Sequence, residues 1–319
     1  MLFRSQVMIS RGLLFLSLLL ATVYSRGDRE HQNANPHYSY SIGSEECVGV
    51  ESPSPSYLLF SETRNAGYGI KEVLYHNSSC FTQGLVYDAE KERFIESCGQ
   101  YGESLIQMYS LKQKKVFSRV HLPREVFGEG IAMVDDQLIA FTWRERIQFL
   151  YSVEGNRMVL QRRLPLSTST GEGWGATAGV LDGKQVVFVS DGSCFIQVWD
   201  AGSVKETHPP SFREIRRKCI LDPWNNNRGV EYLNDLTFAK GKLIANVWLQ
   251  NALAVIDWEK GVVTKWVDLS FLKTLVKLPT EPSRRTNAVL NGIAFDESTS
   301  DLFRSEERRV GKECRSRWS

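Results

Sequence analysis

The sequence predicts an all-β fold, a five-bladed β-propeller, and three observations predict it. No segment sustains the apolar period of a long helix. The apolar runs, among them QLIAFTW, RIQFLYSV, QVVFVSDG, FIQVWD, KLIANVW and ALAVIDW, are short and rich in β-branched or aromatic residues. One turn pattern opens five successive units: a polar residue among Gly or Asn, then apolar residues. Repeats of about 40–50 residues with four strands each are the mark of a propeller. A pair of β-sandwiches is the alternative, and the recurring turn argues against it.

The elements follow in chain order. Residues 1–25 place Arg4 and Arg11 before an apolar stretch at 13–23 that ends in small or polar residues. That is the layout of a secretory signal peptide, with an uncleaved anchor as the alternative. Either form sends the rest of the chain into the secretory pathway, and only the anchor would leave it on a membrane. Residues 26–65 are polar, with Pro and Ser and no apolar period, and are expected to be a linker or stalk. The propeller body is expected over residues 66–303.

Within the body the units open at FTQGLVY (81–87), FGEGIAM (127–133), WGATAGV (174–180), YLNDLTF (232–238) and VLNGIAF (289–295). Taking Gln83, Glu129, Gly175, Asn234 and Asn291 as equivalent gives spacings of 46, 46, 59 and 57 residues. The longer two are expected to hold inserts near 205–228 and 268–288.

Composition narrows the function. The chain has 319 residues, 42% hydrophobic and 24% charged, with a formal net charge of +2. This is a globular composition rather than a disordered or collagen-like one. The positive charge concentrates at the two ends, leaving the body slightly acidic, so no basic stripe is available for nucleic acid. None of the six cysteines forms a CxxC, and the five histidines are scattered. A zinc cage is therefore not expected, and no other metal or cofactor is. FTQGLVY and RFIESC read as a hairpin. Centred on residue 89, it sets Cys80 opposite Cys98, a disulfide candidate with two buried thiols as the alternative. Asn77 heads the one N-x-S/T sequon and is expected to be exposed and glycosylated.

The first strand of a propeller blade lines the central channel. The residues opening each unit are therefore expected to converge at one mouth. That mouth would hold Gln83, Glu129, Asn234 and Asn291, walled by Phe81, Phe127, Trp143, Trp174 and Trp248. A lone carboxylate among aromatic rings loses hydration, which favours its protonated form and suits it to accept and return a proton near neutral pH. Gly128 and Gly130 leave room around Glu129. Amides at the same level suit the orientation of another amide. The alternative is that the polar residues are turn caps and the aromatics ordinary packing. No GxSxG, P-loop or GxGxxG in a strand–helix context is present, and one acid at the mouth is too few for a metal-dependent propeller hydrolase.

FTQGL (81–85), FGEGIA (127–132), FTW (141–143), GEGWG (171–175), YLNDL (232–236), ANVW (245–248) and LNGIAF (290–295), in this order, resemble the plant-type glutaminyl-peptide cyclotransferases. The resemblance runs from about Tyr68 to Asp296. It implies a five-bladed propeller that converts an N-terminal Gln of a peptide or protein to pyroglutamate and releases ammonia, without the zinc of the animal enzymes. By the same resemblance Glu129 is the catalytic carboxylate. Gln83, Asn234, Phe81, Phe127, Trp143, Trp174 and Trp248 form the substrate pocket, with Asn291 beside them at the mouth. A monomer is expected.

After Asp296 the chain departs from the family, whose next strand ends in a Thr-Gly-Lys-x-Trp-Pro-like motif carrying a pocket Lys. Residues 304–319 (RSEERRVGKECRSRWS) are charged, lack β alternation and resemble a translated sequencing adapter. They are expected to be a non-native tail, with a divergent genuine C-terminus as the alternative. The fifth blade is accordingly expected to be incomplete. A non-catalytic secreted propeller that binds peptide N-termini or glycans is the second functional expectation.

Overall fold

The computed structural model describes residues 55–62, 68–75, 80–203, 211–270 and 290–306; for 55–62, 68–75, 290 and 306 it describes the backbone alone. The segment read as a signal peptide, the sequon at Asn77 and the chain beyond 306 lie outside the described residues. So do most of the expected linker and of the 268–288 insert.

Two strands come first, β1 (Pro55–Glu62) and β2 (Tyr68–Tyr75). The first unit then folds as β3 (Thr82–Asp88), β4 (Arg93–Cys98), β5 (Leu105–Ser110) and β6 (Lys115–His121). The second is β7 (Gly128–Val134), β8 (Gln137–Thr142), β9 (Ile147–Glu154) and β10 (Arg157–Pro165). The third is β11 (Ala176–Leu181), β12 (Lys184–Ser190), β13 (Phe195–Asp200) and β14 (Arg213–Cys219). A short ribbon, β15 (Leu221–Asp222) with β16 (Arg228–Gly229), precedes β17 (Leu233–Ala239), β18 (Lys242–Val247), β19 (Ala252–Asp257) and β20 (Val262–Asp268). The last pair is β21 (Leu290–Asp296) and β22 (Asp301–Glu306).

These strands make five sheets. Each unit is an antiparallel meander, and the ribbon β15–β16 extends the fourth sheet through β20. Their first strands pack in the cyclic order β3, β7, β11, β17, β21 and back to β3, as in a propeller. The hydrophobic core lies between neighbouring sheets. Leu138 and Ala140 of β8 join the cluster shared with the first sheet, through Ile95, Ile106 and Met108. Ile139 and Phe141 of the same strand join the cluster shared with the third, through Val187, Val189 and Trp199. A strand buried on both faces reads as a continuous apolar run rather than an alternating one, which explains QLIAFT and its counterparts. Leu85 and Phe94 meet Ala294 and Phe303, packing the last sheet against the first.

Three expectations need correction. The last sheet is complete, with four strands in the order β2-β1-β22-β21. β1 pairs antiparallel with β22, Tyr57 opposite Ser305 and Phe60 opposite Leu302. Residues 55–62 of the expected linker are thus a strand, and residues 304–306 of the expected tail belong to β22. Within the 205–228 insert, β14 is the outer strand of the third sheet, paired Phe195 to Cys219. The corrections to the last sheet share one physical reason. A strand added from far along the chain is held by backbone hydrogen bonds to its neighbour, and local pattern does not name that neighbour.

Candidate active site

The inner strands carry β-bulges where the candidate residues lie. Pairing slips between Thr82 and Gly84, between Gly128 and Ile131, between Leu233 and Leu236, and between Asn291 and Ile293. Gln83, Glu129, Asn234 and the turn after Asn291 fall within those slips. A bulge re-aims the side chain it carries, and the same device recurs in four of the five sheets. All four side chains are buried, Glu129 at 7% exposure and Asn291 at 1%. The third sheet has no polar side chain at this position. Its Gly175 lets the inner strands close up, as does Gly130, whose N–H donates to Trp174 O at 2.7 Å. A Cβ on Gly130 would stand 2.5 Å from that oxygen and 2.6 Å from Gly175 Cα.

The amides form a chain. Asn246 Nδ2 donates to Asn291 Oδ1 at 3.2 Å, and Asn291 Nδ2 donates to Gln83 Oε1 at 3.0 Å. With its carbonyl occupied, Gln83 has Nε2 as its donor. Asn234 Oδ1 and Asn246 Oδ1 are buried acceptors with no donor among the described residues. Leaving such an acceptor unmatched costs about 1–3 kcal/mol.

The aromatic rings form two groups. Phe81 meets Phe127 edge-on at 6.3 Å, and Phe127 meets Trp143 at 5.7 Å. Trp174 meets Trp248 edge-on at 5.9 Å. Glu172 joins the two groups, since its Oε2 accepts Trp143 Nε1–H and Trp174 Nε1–H, each at 2.9 Å. The structure thus brings the aromatic candidates into one wall and links Gln83 to Asn291. Glu129 is on β7, which packs between β3 and β11.

Several site residues escaped the sequence reading. Tyr232 stands against Trp174 at 6.4 Å and Trp248 at 5.9 Å, with φ of 65°. That backbone conformation is unfavourable for a bulky residue, and hydrogen bonds from its N–H to Gly192 O and from Trp248 N–H to its carbonyl hold it. Tyr101 packs on Phe127 at 5.4 Å and donates to Glu145 Oε1 at 2.8 Å. Burial, that hydrogen bond and the charges of Glu145 and Glu129 push its phenol up to about 12. Asn246 and Tyr232 sat inside recognised motifs, ANVW and YLNDL, which was the available signal. Asp235, next to Asn234, is also buried, but its Oδ2 accepts Ile293 N–H at 2.8 Å, tying β17 to β21. Burial pushes its carboxyl well above the usual range.

Four of the six cysteines form two disulfides, Cys80–Cys98 and Cys194–Cys219, and the other two lie outside the described residues. The expected register is corrected: Cys98 faces Thr82, and the bulge at Gln83 carries Cys80 just beyond the ladder. Among the described residues the cluster Cys80, Glu96 and Cys98 has ligand-like spacing. Its sulfurs are bonded to each other, and Glu96 accepts from Thr82 Oγ1 at 2.6 Å and Gln107 Nε2 at 2.8 Å.

A family profile described as glutamine cyclotransferase matches residues 45–305. A glutaminyl-peptide cyclotransferase of Arabidopsis thaliana is 31% identical over 229 residues. That alignment covers 72% of this chain and 64% of the relative's length. The solved structure of glutaminyl cyclase from Myxococcus xanthus superposes with a TM-score of 0.58 at 26% identity, covering 73% of this chain and 88% of that one. With its bulge-borne carboxylate, amide chain and aromatic wall, this chain belongs to the glutamine cyclotransferase family.

Proposed function

We propose that the protein is a glutaminyl-peptide cyclotransferase that cyclises the N-terminal Gln of peptides or proteins to pyroglutamate, that each of its five sheets is one blade, and that Glu129 is its proton carrier. The observation that carries this reading is a buried carboxylate on a bulge of β7, matched by buried amides at the corresponding bulges of β3, β17 and β21, in a body that also carries the aromatic wall. An N-terminal Gln offers amine and carboxamide groups that a carboxylate and side-chain amides can bind.

The chemistry is intramolecular. The α-amine has an ordinary pKa of roughly 7.7–8.0, so a useful neutral fraction exists near pH 7. Its nitrogen attacks Cδ of the side-chain carboxamide. The new N–Cδ bond closes a five-membered ring, and the former carbonyl oxygen takes the negative charge. Glu129 accepts the proton the amine sheds and delivers it to the carboxamide nitrogen. The Cδ–N bond then breaks and ammonia leaves. The aromatic wall holds the folded conformer that brings the reacting atoms together. Gln83 Nε2, oriented by Asn291 and Asn246, suits the developing oxyanion. No step needs a metal.

The two disulfides support an oxidising compartment, in line with a secretory signal and a glycan at Asn77. The test is ammonia release from a Gln-initiated peptide, with and without EDTA, by the parent and Glu129→Gln. Release that resists EDTA and falls by at least about 10²-fold in the variant is expected. Turnover of the variant within a few-fold of the parent would remove Glu129 from its role. A folded parent that releases no ammonia yet binds the peptide would favour the non-catalytic reading.

A further inference from the structure

We propose that Glu172 is a positioning residue of this pocket: its carboxylate clamps the indoles of Trp143 and Trp174 in the orientation the folded substrate requires. The proposal rests on the pocket reading above and assigns a role that neither repeat pattern nor resemblance supplied.

The two tryptophans belong to different sheets. Trp143 follows β8 and Trp174 precedes β11, and both are only half-buried. An indole has one hydrogen-bond donor. Here both donors converge on one oxygen, Glu172 Oε2, at 2.9 Å each. The other oxygen accepts Arg144 Nε at 3.0 Å, and that guanidinium lies over the Trp143 ring, 3.6 Å from its centroid. Charge-assisted bonds of this kind are roughly twice as strong as neutral ones.

The clamp is itself braced. Glu172 N–H donates to Thr170 Oγ1 at 3.2 Å, and its carbonyl accepts Thr168 Oγ1 at 2.7 Å. Asp191 in turn accepts Thr170 N–H at 3.1 Å. Gly173 N–H donates to Trp143 O at 2.8 Å, so backbone and side chain register the same two sheets. Because its oxygens are engaged by three donors, Glu172 does not compete with Glu129 for the substrate amine. Its contribution is to fix two walls, which matters most in a reaction whose difficulty is folding a side chain back on itself.

The test uses the full-length protein with 15N-labelled indoles. In the parent, the Trp143 and Trp174 indole N–H protons, assigned with Trp143→Phe and Trp174→Phe, are expected downfield and slow to exchange with solvent. Glu172→Ala should move both upfield, speed their exchange, and lower kcat by about 10- to 100-fold. Glu172→Gln keeps an oxygen that can accept both indoles, so it should shift them less and lose far less activity than the Ala variant. In the Trp174→Phe background, Glu172→Ala should cost less than it does alone. Unmoved indole signals in Glu172→Ala, indole shifts in Glu172→Gln as large as in the Ala variant, or equal activity losses for Ala and Gln would overturn the clamp. If Glu172→Ala does not fold, the Gln variant's indole shifts decide. The resonance measurement needs no turnover, so a parent that releases no ammonia would sink the cyclase reading while leaving the clamp testable.

Discussion

Replacing Gly130 by Ala tests whether the close approach of the inner strands sets both stability and the position of Glu129. The added Cβ would stand 2.5 Å from Trp174 O, 2.6 Å from Gly175 Cα and 2.8 Å from Ala176 N. All three are backbone atoms, which cannot swing aside. Restoring an ordinary contact of 3.4 Å requires β7 and β11 to part by about 0.9 Å. The Gly130 N–H to Trp174 O bond, now 2.7 Å, would then stretch to about 3.6 Å and be lost. Overpacking costs about 1–3 kcal/mol, and the broken buried hydrogen bond about 1 kcal/mol more. At about 2–4 °C per kcal/mol for a body of this size, the melting temperature should fall by roughly 5–15 °C. Glu129 is next in the chain and Trp174 is the residue pushed, so a displacement near 1 Å should lower kcat/KM by about 10²-fold. Differential scanning fluorimetry and an ammonia assay on the purified variant read both. A Gly130→Ala protein that melts and turns over like the parent would refute the strand-spacing argument.

Three further outcomes are expected. Ser190 Oγ accepts Gly175 N–H at 2.8 Å and donates to Asn234 O at 2.9 Å; Ser190→Ala leaves both buried groups unmatched and should cost about 1–3 kcal/mol in urea unfolding, and an unchanged midpoint would count against the bridge. Replacing Cys80 and Cys98 together by Ser opens a link spanning 18 residues; about 3 kcal/mol should be lost, which equal midpoints before and after replacement would disprove. The Lys242 hydrogen bond at 2.6 Å is the main cause holding the Asp257 carboxyl below its usual range. Its stabilising effect is present above the unfolded value of about 3.9 and fades as the pH falls through the lower folded value. The parent should therefore lose more stability between pH 7 and pH 3 than Lys242→Met, and parallel losses would show the pair contributes nothing.

The repeat was legible because four of the five units open with a bulge, and a bulge needs small or polar residues in place of strand alternation. That is why FTQG, FGEG, YLND and LNGI stood out, and why Gln83, Glu129, Asn234 and Asn291 were found. The aromatic wall followed from motifs at strand ends. What stayed hidden was what local pattern does not encode. PSYLLFSE does not announce its pairing with DLFRSE near the other end of the chain. The partnership of Cys194 with Cys219 depends on the β13–β14 pairing, which a basic stretch concealed. Glu172 lay inside a recognised motif, yet its partners come from two sheets and only coordinates unite them.

The marriage of β1 to β22 has a consequence for biosynthesis. During translation the leading strand emerges long before its mate, and nearly the whole body must be made while that hydrogen-bonding edge waits. The last sheet can close only once residues 301–306 have been made, and until then the waiting edge of β1 is exposed to aberrant pairing.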